Sequence, residues 1–204
     1  MITTPNIRFS STIRVVNDDE FSRFNAYALE QQDMVADYPW THHERVRLKP
    51  QGLTTEAFNC NAGGITNGDR LTLFHLEPTA LYDDERKLDE TTDALESDIL
   101  ELKKENPNLR AVLTGGDADD ESSLTLKESL LALFAKFRIP VSILWGANGT
   151  DVHYDTTTDT WTLHAHDMPA TLDDFRERFP DAHIAAGDQL IIDEEEIDPT
   201  DLTQ

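Results

Sequence analysis

Residues 54–78 read Thr-Thr-Glu-Ala-Phe-Asn-Cys-Asn-Ala-Gly-Gly-Ile-Thr-Asn-Gly-Asp-Arg-Leu-Thr-Leu-Phe-His-Leu-Glu-Pro, and they decide the fold. Two short apolar segments, 56–61 and 71–76, are separated by the turn-rich sequence 63–69. This order predicts a β-hairpin that brings Cys60 close to His75. Cys60 is expected at the mouth of the Gly-rich turn, where backbone N–H groups could stabilise an oxyanion.

The sequence on either side of this hairpin alternates between strand and helix patterns. Short runs of apolar or β-branched residues predict strands, and apolar residues three to four apart predict amphipathic helices. The predicted strands are 45–49, 109–114, 139–145, 151–155, 160–165 and 189–192, and the predicted helices are 88–105, one capped by Ser122 or Ser123, and 172–179. Residues 17–20 predict a further helix start. The result is a single α/β domain, with a central mixed sheet or sandwich-like sheet core flanked by two main helices.

The 204 residues suit one domain that divides into three segments along the chain. We expect residues 1–50 to form an N-terminal extension packed on the core, and residues 51–165 to form the core itself. Residues 166–204 are expected to add a helix and a strand followed by an acidic tail. The acidic run at 193–199 predicts that this tail is mobile.

Charge and hydropathy exclude several classes of function. The chain has 40 Asp and Glu against 17 Lys and Arg, a net charge of −23, which repels phosphate backbones and argues against nucleic-acid binding. No segment approaches the roughly 18 to 20 apolar residues that cross a membrane, so membrane insertion is not expected. The N-terminus lacks a basic segment followed by an apolar one. These features predict a cytoplasmic protein, or one secreted without a Sec signal.

Cys60 is the only cysteine, which limits what it can do. A lone thiol can form neither an internal disulfide nor a metal site built from several cysteines. It can be buried as a small apolar residue, or it can act as a nucleophile with a histidine as base. The spacing of Cys60 and His75 alone leaves both interpretations open.

Histidines of the second predicted hairpin offer a different site. His153, His164 and His166 could together bind a metal ion. No acidic ligand stands with them at a recognisable spacing, so solvated strand histidines are the preferred interpretation. No metal and no cofactor are therefore predicted.

Further motifs follow Cys60 in a fixed order. They are His75-Leu-Glu-Pro78, Leu113-Thr-Gly-Gly116 at a strand end, Phe137-Arg-Ile-Pro-Val141 after a helix, a Gly-containing loop at 146–149, and Val152-His-Tyr-Asp155 in the closing hairpin. In this order, over about residues 50–165, the sequence resembles the chemoreceptor glutamine deamidase (CheD) family. It resembles the catalytic domains of cytotoxic necrotizing factor-like toxins more distantly. The family usually has Gly-Ser before its cysteine, where this chain has Phe58-Asn59.

The resemblance implies a CheD-like fold and a cysteine-dependent protein glutamine deamidase that releases ammonia. Cys60 would be the nucleophile and His75 the base, and Thr54 would orient His75, with Thr55 as an equally available neighbour. The substrate would be a protein, either a bacterial receptor or, for an effector or toxin, a host protein. The alternative is a non-catalytic binding protein that keeps the deamidase fold, in which Cys60 would be buried and unreactive.

Overall fold

Two β-sheets face each other, and two long helices cover the outer side of one of them. The computed structural model of the chain describes residues 10–16, 35–36, 43–78, 85–146, 149–165, 172–192 and 195–203. The strands are β1 (Thr12–Val15), β2 (Val35–Ala36), β3 (His43–Lys49), β4 (Gln51–Ala57), β5 (Asn61–Thr66), β6 (Leu71–Leu76), β7 (Arg110–Gly115), β8 (Val141–Trp145), β9 (Thr150–Asp155), β10 (Thr160–Ala165), β11 (Gln189–Ile192) and β12 (Glu195–Ile197). The helices are α1 (Glu85–Glu105), α2 (Glu121–Phe137), α3 (Leu172–Arg178) and a 3-10 helix (Pro199–Thr203).

Both sheets are mixed. The seven-stranded sheet has the order β12-β11-β1-β10-β9-β4-β2, and the five-stranded sheet has the order β3-β6-β5-β7-β8. Strand β1 lies between β10 and β11 and is parallel to both. The seven-stranded sheet therefore joins strands from all three predicted segments of the sequence.

Alternating side chains build two apolar layers around the five-stranded sheet. The inter-sheet layer includes Leu73, Val112 and Trp161, and the short helix α3 contributes Phe175 to it. The layer between this sheet and helices α1 and α2 is formed by the residues Ile65, Phe74, Leu76, Leu95, Ile99, Leu102, Leu109, Ala111, Leu113, Leu126, Leu130, Leu133, Phe134, Ile139 and Trp145. This arrangement confirms the prediction of a single α/β domain with a sheet core and two main helices.

Two glycines expected in the hairpin turn lie inside strand β5 instead. A Cβ atom on Gly63 would lie 2.1 Å from the carbonyl oxygen of Val112, and one on Gly64 would lie 2.8 Å from the ring of Trp161. The glycines are needed because neighbouring groups approach the strand closely. The turn itself lies at residues 67–70. The expected Gly-rich turn beside Cys60 is therefore wrong, because that backbone pairs with β6 and β7.

The N-cap of helix α2 is Asp120, which corrects the expectation of Ser122 or Ser123. The Asp120 backbone is extended, and its side chain accepts a hydrogen bond of 2.9 Å from the Ser122 N–H. Hydrogen bonds, first of all from the Ser122 side chain, hold the pKa of Asp120 below its usual value. Asp and Ser both favour the N-cap position, so composition did not separate the three residues.

Part of the acidic C-terminal run is ordered, so the prediction of a mobile tail is wrong for these residues. Glu195–Ile197 pairs antiparallel with β11, and Pro199–Thr203 forms the 3-10 helix. Acidic side chains suit an edge strand because they discourage pairing with another chain.

The predicted helix start at 17–20 lies outside the described residues. Among the described helices, none is long and apolar enough to cross a membrane.

Candidate functional site

Cys60 lies in a bend, residues 58–60, between strands β4 and β5. Its side chain is fully buried and contacts Ala57 and Ala62. Ala57 ends a strand of the seven-stranded sheet, and Ala62 belongs to the five-stranded sheet. Cys60 therefore lies in the inter-sheet layer, at the end where the chain passes from one sheet to the other.

His75 shares a sheet face with Cys60. The β5–β6 register pairs Ala62 with His75, and Cys60 lies two residues before Ala62, in the bend that leads into β5. Residues so related in a regular hairpin have Cα atoms about 7 to 8 Å apart. His75 is fully buried, and alternation along β6 places it on the same face as Leu73, within the inter-sheet layer. A hairpin with β6 as its second strand is therefore present, but its first strand is Asn61–Thr66 and not 56–61, and Cys60 lies just before that strand.

Strand β4 carries Thr54 along the same stretch of the inter-sheet layer. At Gly52, an added Cβ would lie 3.3 Å from the side chain of Leu73 in β6. At the other end of β4, Ala57 contacts the cysteine. Thr54 falls between these two points, and His75 follows Leu73 in the same direction. The two residues therefore belong to facing strands at a similar level.

The register of β4 distinguishes Thr54 from Thr55. Thr54 pairs with Val152 of β9, a residue of the inter-sheet layer. The register then shifts between Thr54 and Ala57, and Thr55 lies within that shift. The backbone pairing therefore favours Thr54 as the residue that is in register with the inter-sheet layer.

Asn59, Gly116 and the start of helix α2 hold the bend that carries Cys60. The Gly116 N–H donates to the carbonyl oxygen of Cys60 at 2.8 Å. The Ser123 hydroxyl donates to the carbonyl oxygen of Asn59 at 2.8 Å, and the Asn59 amide nitrogen lies 3.4 Å from Asp120. In the sequence, Asn59 stood out only because it differs from the family pattern. In the structure it fixes the approach to the cysteine.

Asn61 and the glycine pair complete this support. The Asn61 side chain accepts a hydrogen bond of 2.7 Å from the Trp145 indole and donates to the Ser123 carbonyl at 3.1 Å. Gly115 and Gly116 have φ angles of 72° and 77°. A Cβ on Gly116 would lie 2.0 Å from the indole nitrogen of Trp145. The glycine pair is thus required both for its backbone torsions and for close packing.

Cys60 is a neutral thiol in this conformation. Burial, and then the charge of Glu77, raises the pKa of Cys60 from 9.0 to about 12. The thiol also lies 3.8 Å from the amide oxygen of Asn59, which can accept its S–H proton. Burial and this hydrogen bond both favour the protonated form. Thiolate chemistry would therefore need a base that takes the proton as the attack occurs.

Two threonine hydroxyls beside Cys60 were not singled out by the sequence. Thr114 of β7 pairs with Ala62, and Thr150 of β9 pairs with Ala57, so each stands next to an alanine that contacts the cysteine. Both threonines are fully buried, and neither hydroxyl has a hydrogen-bond partner among the described residues. Threonine is common in strands, so nothing in its local sequence distinguishes such a residue.

The second hairpin places its histidines elsewhere. His153 and His164 alternate with the core residues of β9 and β10, so they lie on the outer face of the seven-stranded sheet. His164 Nδ1 lies 2.9 Å from Asp151. Burial lowers the pKa of His153 to about 4. Both side chains are buried, not solvated as expected. His166 lies outside the described residues, and within them no three metal-ligand side chains cluster.

A connected polar network occupies the opposite end of the inter-sheet layer. The Tyr154 hydroxyl donates to Asp159 at 2.7 Å and lies 3.1 Å from the Thr66 hydroxyl. Ser11 also donates to Asp159, at 2.9 Å. Burial raises the pKa of Asp159 above its usual value. These contacts join β1, the β5 end and the β9–β10 turn.

Asp188 extends this network to the strands β7, β8 and β11. It accepts hydrogen bonds from the Ser11 N–H at 3.0 Å and from the Ser142 hydroxyl at 2.8 Å. Asp188 also forms an ion pair with Arg110, whose Nε lies 3.7 Å from the Asp188 Oδ1. Every group named in this network has a partner, so we interpret the role of this end of the layer as structural.

No protein-family model matches the sequence, and the search of curated proteins found no match either.

Proposed function

We propose that this protein is a cysteine-dependent protein glutamine deamidase. The observation that carries the proposal is the β5–β6 hairpin, whose register pairs His75 with Ala62, two residues after Cys60. The lone thiol, the buried imidazole and the backbone level of Thr54 agree with the roles that the family resemblance implies. The fixed bend around Cys60 also supports it, because a nucleophile must be held in a defined position.

The reaction would proceed through a thioester. His75 takes the proton of Cys60 as the sulfur attacks the carboxamide carbon of a glutamine side chain. The imidazolium returns this proton to the nitrogen as the C–N bond breaks, which releases ammonia. Water then attacks the thioester carbonyl, gives one proton to His75, and the C–S bond breaks. The thiolate regains that proton, and the net change is glutamine plus water to glutamate plus ammonia.

Thr54 would orient the imidazole, as a third residue does in related catalytic groupings. Its register opposite Val152 makes it the preferred candidate over Thr55. No step requires a metal or a cofactor. The raised pKa of Cys60 fits a base that acts during the attack, rather than a thiolate that exists beforehand.

The substrate would be a protein, either a bacterial receptor or a host target. Phe58, two residues before the nucleophile, is 46% exposed and offers an apolar contact beside the site. The net charge of −23 would favour a substrate surface with basic residues. Either setting, the cytoplasm or export without a Sec signal, is compatible with this chemistry.

The test is a glutamine-to-glutamate mass change in candidate proteins incubated with the wild-type protein, with released ammonia measured in parallel. Cys60→Ser should abolish both signals, and His75→Ala should lower them by about 10² to 10⁴-fold, the usual contribution of a placed base. Circular dichroism spectra of both variants should match the wild type. A folded Cys60→Ser protein that still converts glutamine would refute the proposal.

One observation favours a second candidate, a non-catalytic binding protein with the same fold. Cys60 is fully buried and its pKa is raised to about 12, as expected for a structural cysteine. Slow alkylation of the resting thiol follows from either function, so it does not separate them. Conversion of glutamine that depends on Cys60 does, because the binding protein would bind its partner unchanged.

A further inference from the structure

The two unpartnered hydroxyls beside Cys60 belong to opposite sheets. Thr114 comes from the five-stranded sheet and Thr150 from the seven-stranded sheet, and both face the inter-sheet layer. Direct cross-strand partners have Cβ atoms about 4.5 to 5.5 Å apart, so each threonine lies close to Ala62 or Ala57. The cysteine contacts both alanines. The two threonines therefore lie next to the alanines that cluster with the thiol, one threonine in each sheet.

A buried hydroxyl without a partner is unfavourable, and most such groups in proteins are hydrogen-bonded. Here two of them occur on strands next to one thiol, whereas two other buried threonines of the five-stranded sheet are bonded. Thr66 bonds to the Arg70 carbonyl at 2.9 Å, and Thr72 lies 3.4 Å from Asp98. The unpartnered hydroxyls are thus found where the proposed chemistry would occur.

We propose that the Thr114 and Thr150 hydroxyls bind the carboxamide of the substrate glutamine. A primary carboxamide has one acceptor oxygen and two N–H donors, and a threonine hydroxyl can both donate and accept. One hydroxyl can donate to the carbonyl oxygen, where negative charge develops during the attack. The other can accept an amide N–H. This assignment rests on the proposed deamidase function and supplies the oxyanion contact that the β5 backbone does not.

Alkylating reagents test this recognition without requiring turnover. Iodoacetamide carries a primary carboxamide, and methyl iodoacetate has a similar size and no charge but lacks the N–H donors. The rate of Cys60 alkylation by each reagent is measured by intact mass on the native protein. The ratio of the two rates, divided by the ratio for the urea-unfolded protein, reports carboxamide recognition at the thiol.

Thr114→Val and Thr150→Val keep the side-chain shape and remove the hydroxyl. Each should lower the rate ratio by about tenfold, which is the loss of one good hydrogen bond. Thr114→Ser and Thr150→Ser should retain it. Thr72→Val is the matched control, since Thr72 is equally buried in β6 but faces the helices. It should leave the ratio unchanged.

A wild-type ratio equal to that of the unfolded protein would overturn the proposal, and so would Val variants that leave the ratio unchanged. Absence of any reaction with either reagent in the native protein would also overturn it, since no carboxamide would then reach the thiol. An internal water would satisfy the same hydroxyls, but it would not make the thiol distinguish between the reagents. If the rate ratio behaves as expected while no glutamine is converted, the proposed function fails and the carboxamide site stands.

Discussion

The two ends of the inter-sheet layer differ in how far their buried polar groups are hydrogen-bonded. At the Asp188 end, carboxylates, hydroxyls and an arginine are joined by hydrogen bonds of 2.7 to 3.1 Å and by the ion pair of Asp188 with Arg110. At the Cys60 end, the Thr114 and Thr150 hydroxyls are equally buried and have no such partners among the described residues. Both ends lie between the same two sheets, so burial alone does not explain the difference.

This difference indicates which end stabilises the fold and which end keeps polar groups that a substrate could bind. A buried hydroxyl without a hydrogen bond costs about 1 to 3 kcal/mol. A protein that keeps two of them around its only thiol gives up stability there, as functional sites often do. The hydrogen bonds at the connected end tie β1 and β11 to the five-stranded sheet through Ser11 and Asp188. Substitutions at the two ends should therefore have opposite effects on stability.

The largest effect is expected for Asp188→Ala. Its side chain is 1% exposed, and its removal leaves the Ser11 N–H and the Ser142 hydroxyl without their acceptor and Arg110 without its ion-pair partner. Breaking a buried ion pair by removing one partner typically costs about 3 to 5 kcal/mol. Urea denaturation at neutral pH should show a loss of that size. Asp181→Ala is the control, because Asp181 pairs with Lys127 at the surface and is 69% exposed.

The control should change the free energy of unfolding by less than about 1 kcal/mol. If Asp188→Ala costs no more than Asp181→Ala, the connected end is not the stabilising one and the comparison fails.

The same substitution made at both ends gives a sharper test. Thr66→Val removes a hydroxyl that bonds to Arg70, Tyr154 and the Gly68 N–H, and it should cost about 2 kcal/mol. Thr114→Val removes a hydroxyl that has no partner, so stability should be unchanged or slightly raised. Both residues are fully buried in the five-stranded sheet. Equal losses in urea denaturation would show that the Thr114 hydroxyl is bonded in solution and would weaken the comparison.

Much of the fold followed from periodicity. Helix 88–105, the hairpin of β9 and β10 and strand 189–192 agree closely with α1, Thr150–Asp155, Thr160–Ala165 and β11. The pattern failed where a local preference was overruled by packing. Gly63 and Gly64 looked like a turn, but the Val112 carbonyl and the Trp161 ring leave no room for a side chain there. The acidic residues 195–197 form a strand because they pair with β11, and the composition of the tail does not reveal this pairing.

The candidate site was only partly predictable. Cys60 and His75 are fifteen residues apart in one hairpin, so their approach is a local property of the sequence. Thr114 and Thr150 come from two other strands in different sheets, and only the packing of those sheets brings them to the thiol. Asn59 likewise gained a role only when its contact with Asp120 in the cap of α2 was known.

The smallest expected effect concerns the proton of Cys60. Burial raises the pKa of Asp159 at one end and of Cys60 at the other, but Asp159 also accepts hydrogen bonds from Tyr154 and Ser11, which oppose the shift. For Cys60 the pKa rises from 9.0 to about 12, so its contribution to stability is complete below about pH 9 and is lost as the pH rises toward 12. Between about pH 7 and pH 10 this loss should be about 1 kcal/mol.

Cys60→Ser removes the titrating thiol and leaves every other group in place, so the difference in unfolding free energy between wild type and variant isolates this term. The difference should be flat near neutral pH and change only above about pH 9. A change near neutral pH would mean that the thiol already ionises in the resting protein, against its burial and its contact with Asn59. In that case the Cys60 end would hold a preformed thiolate, and His75 would act on the leaving ammonia without first having to remove the thiol proton during attack.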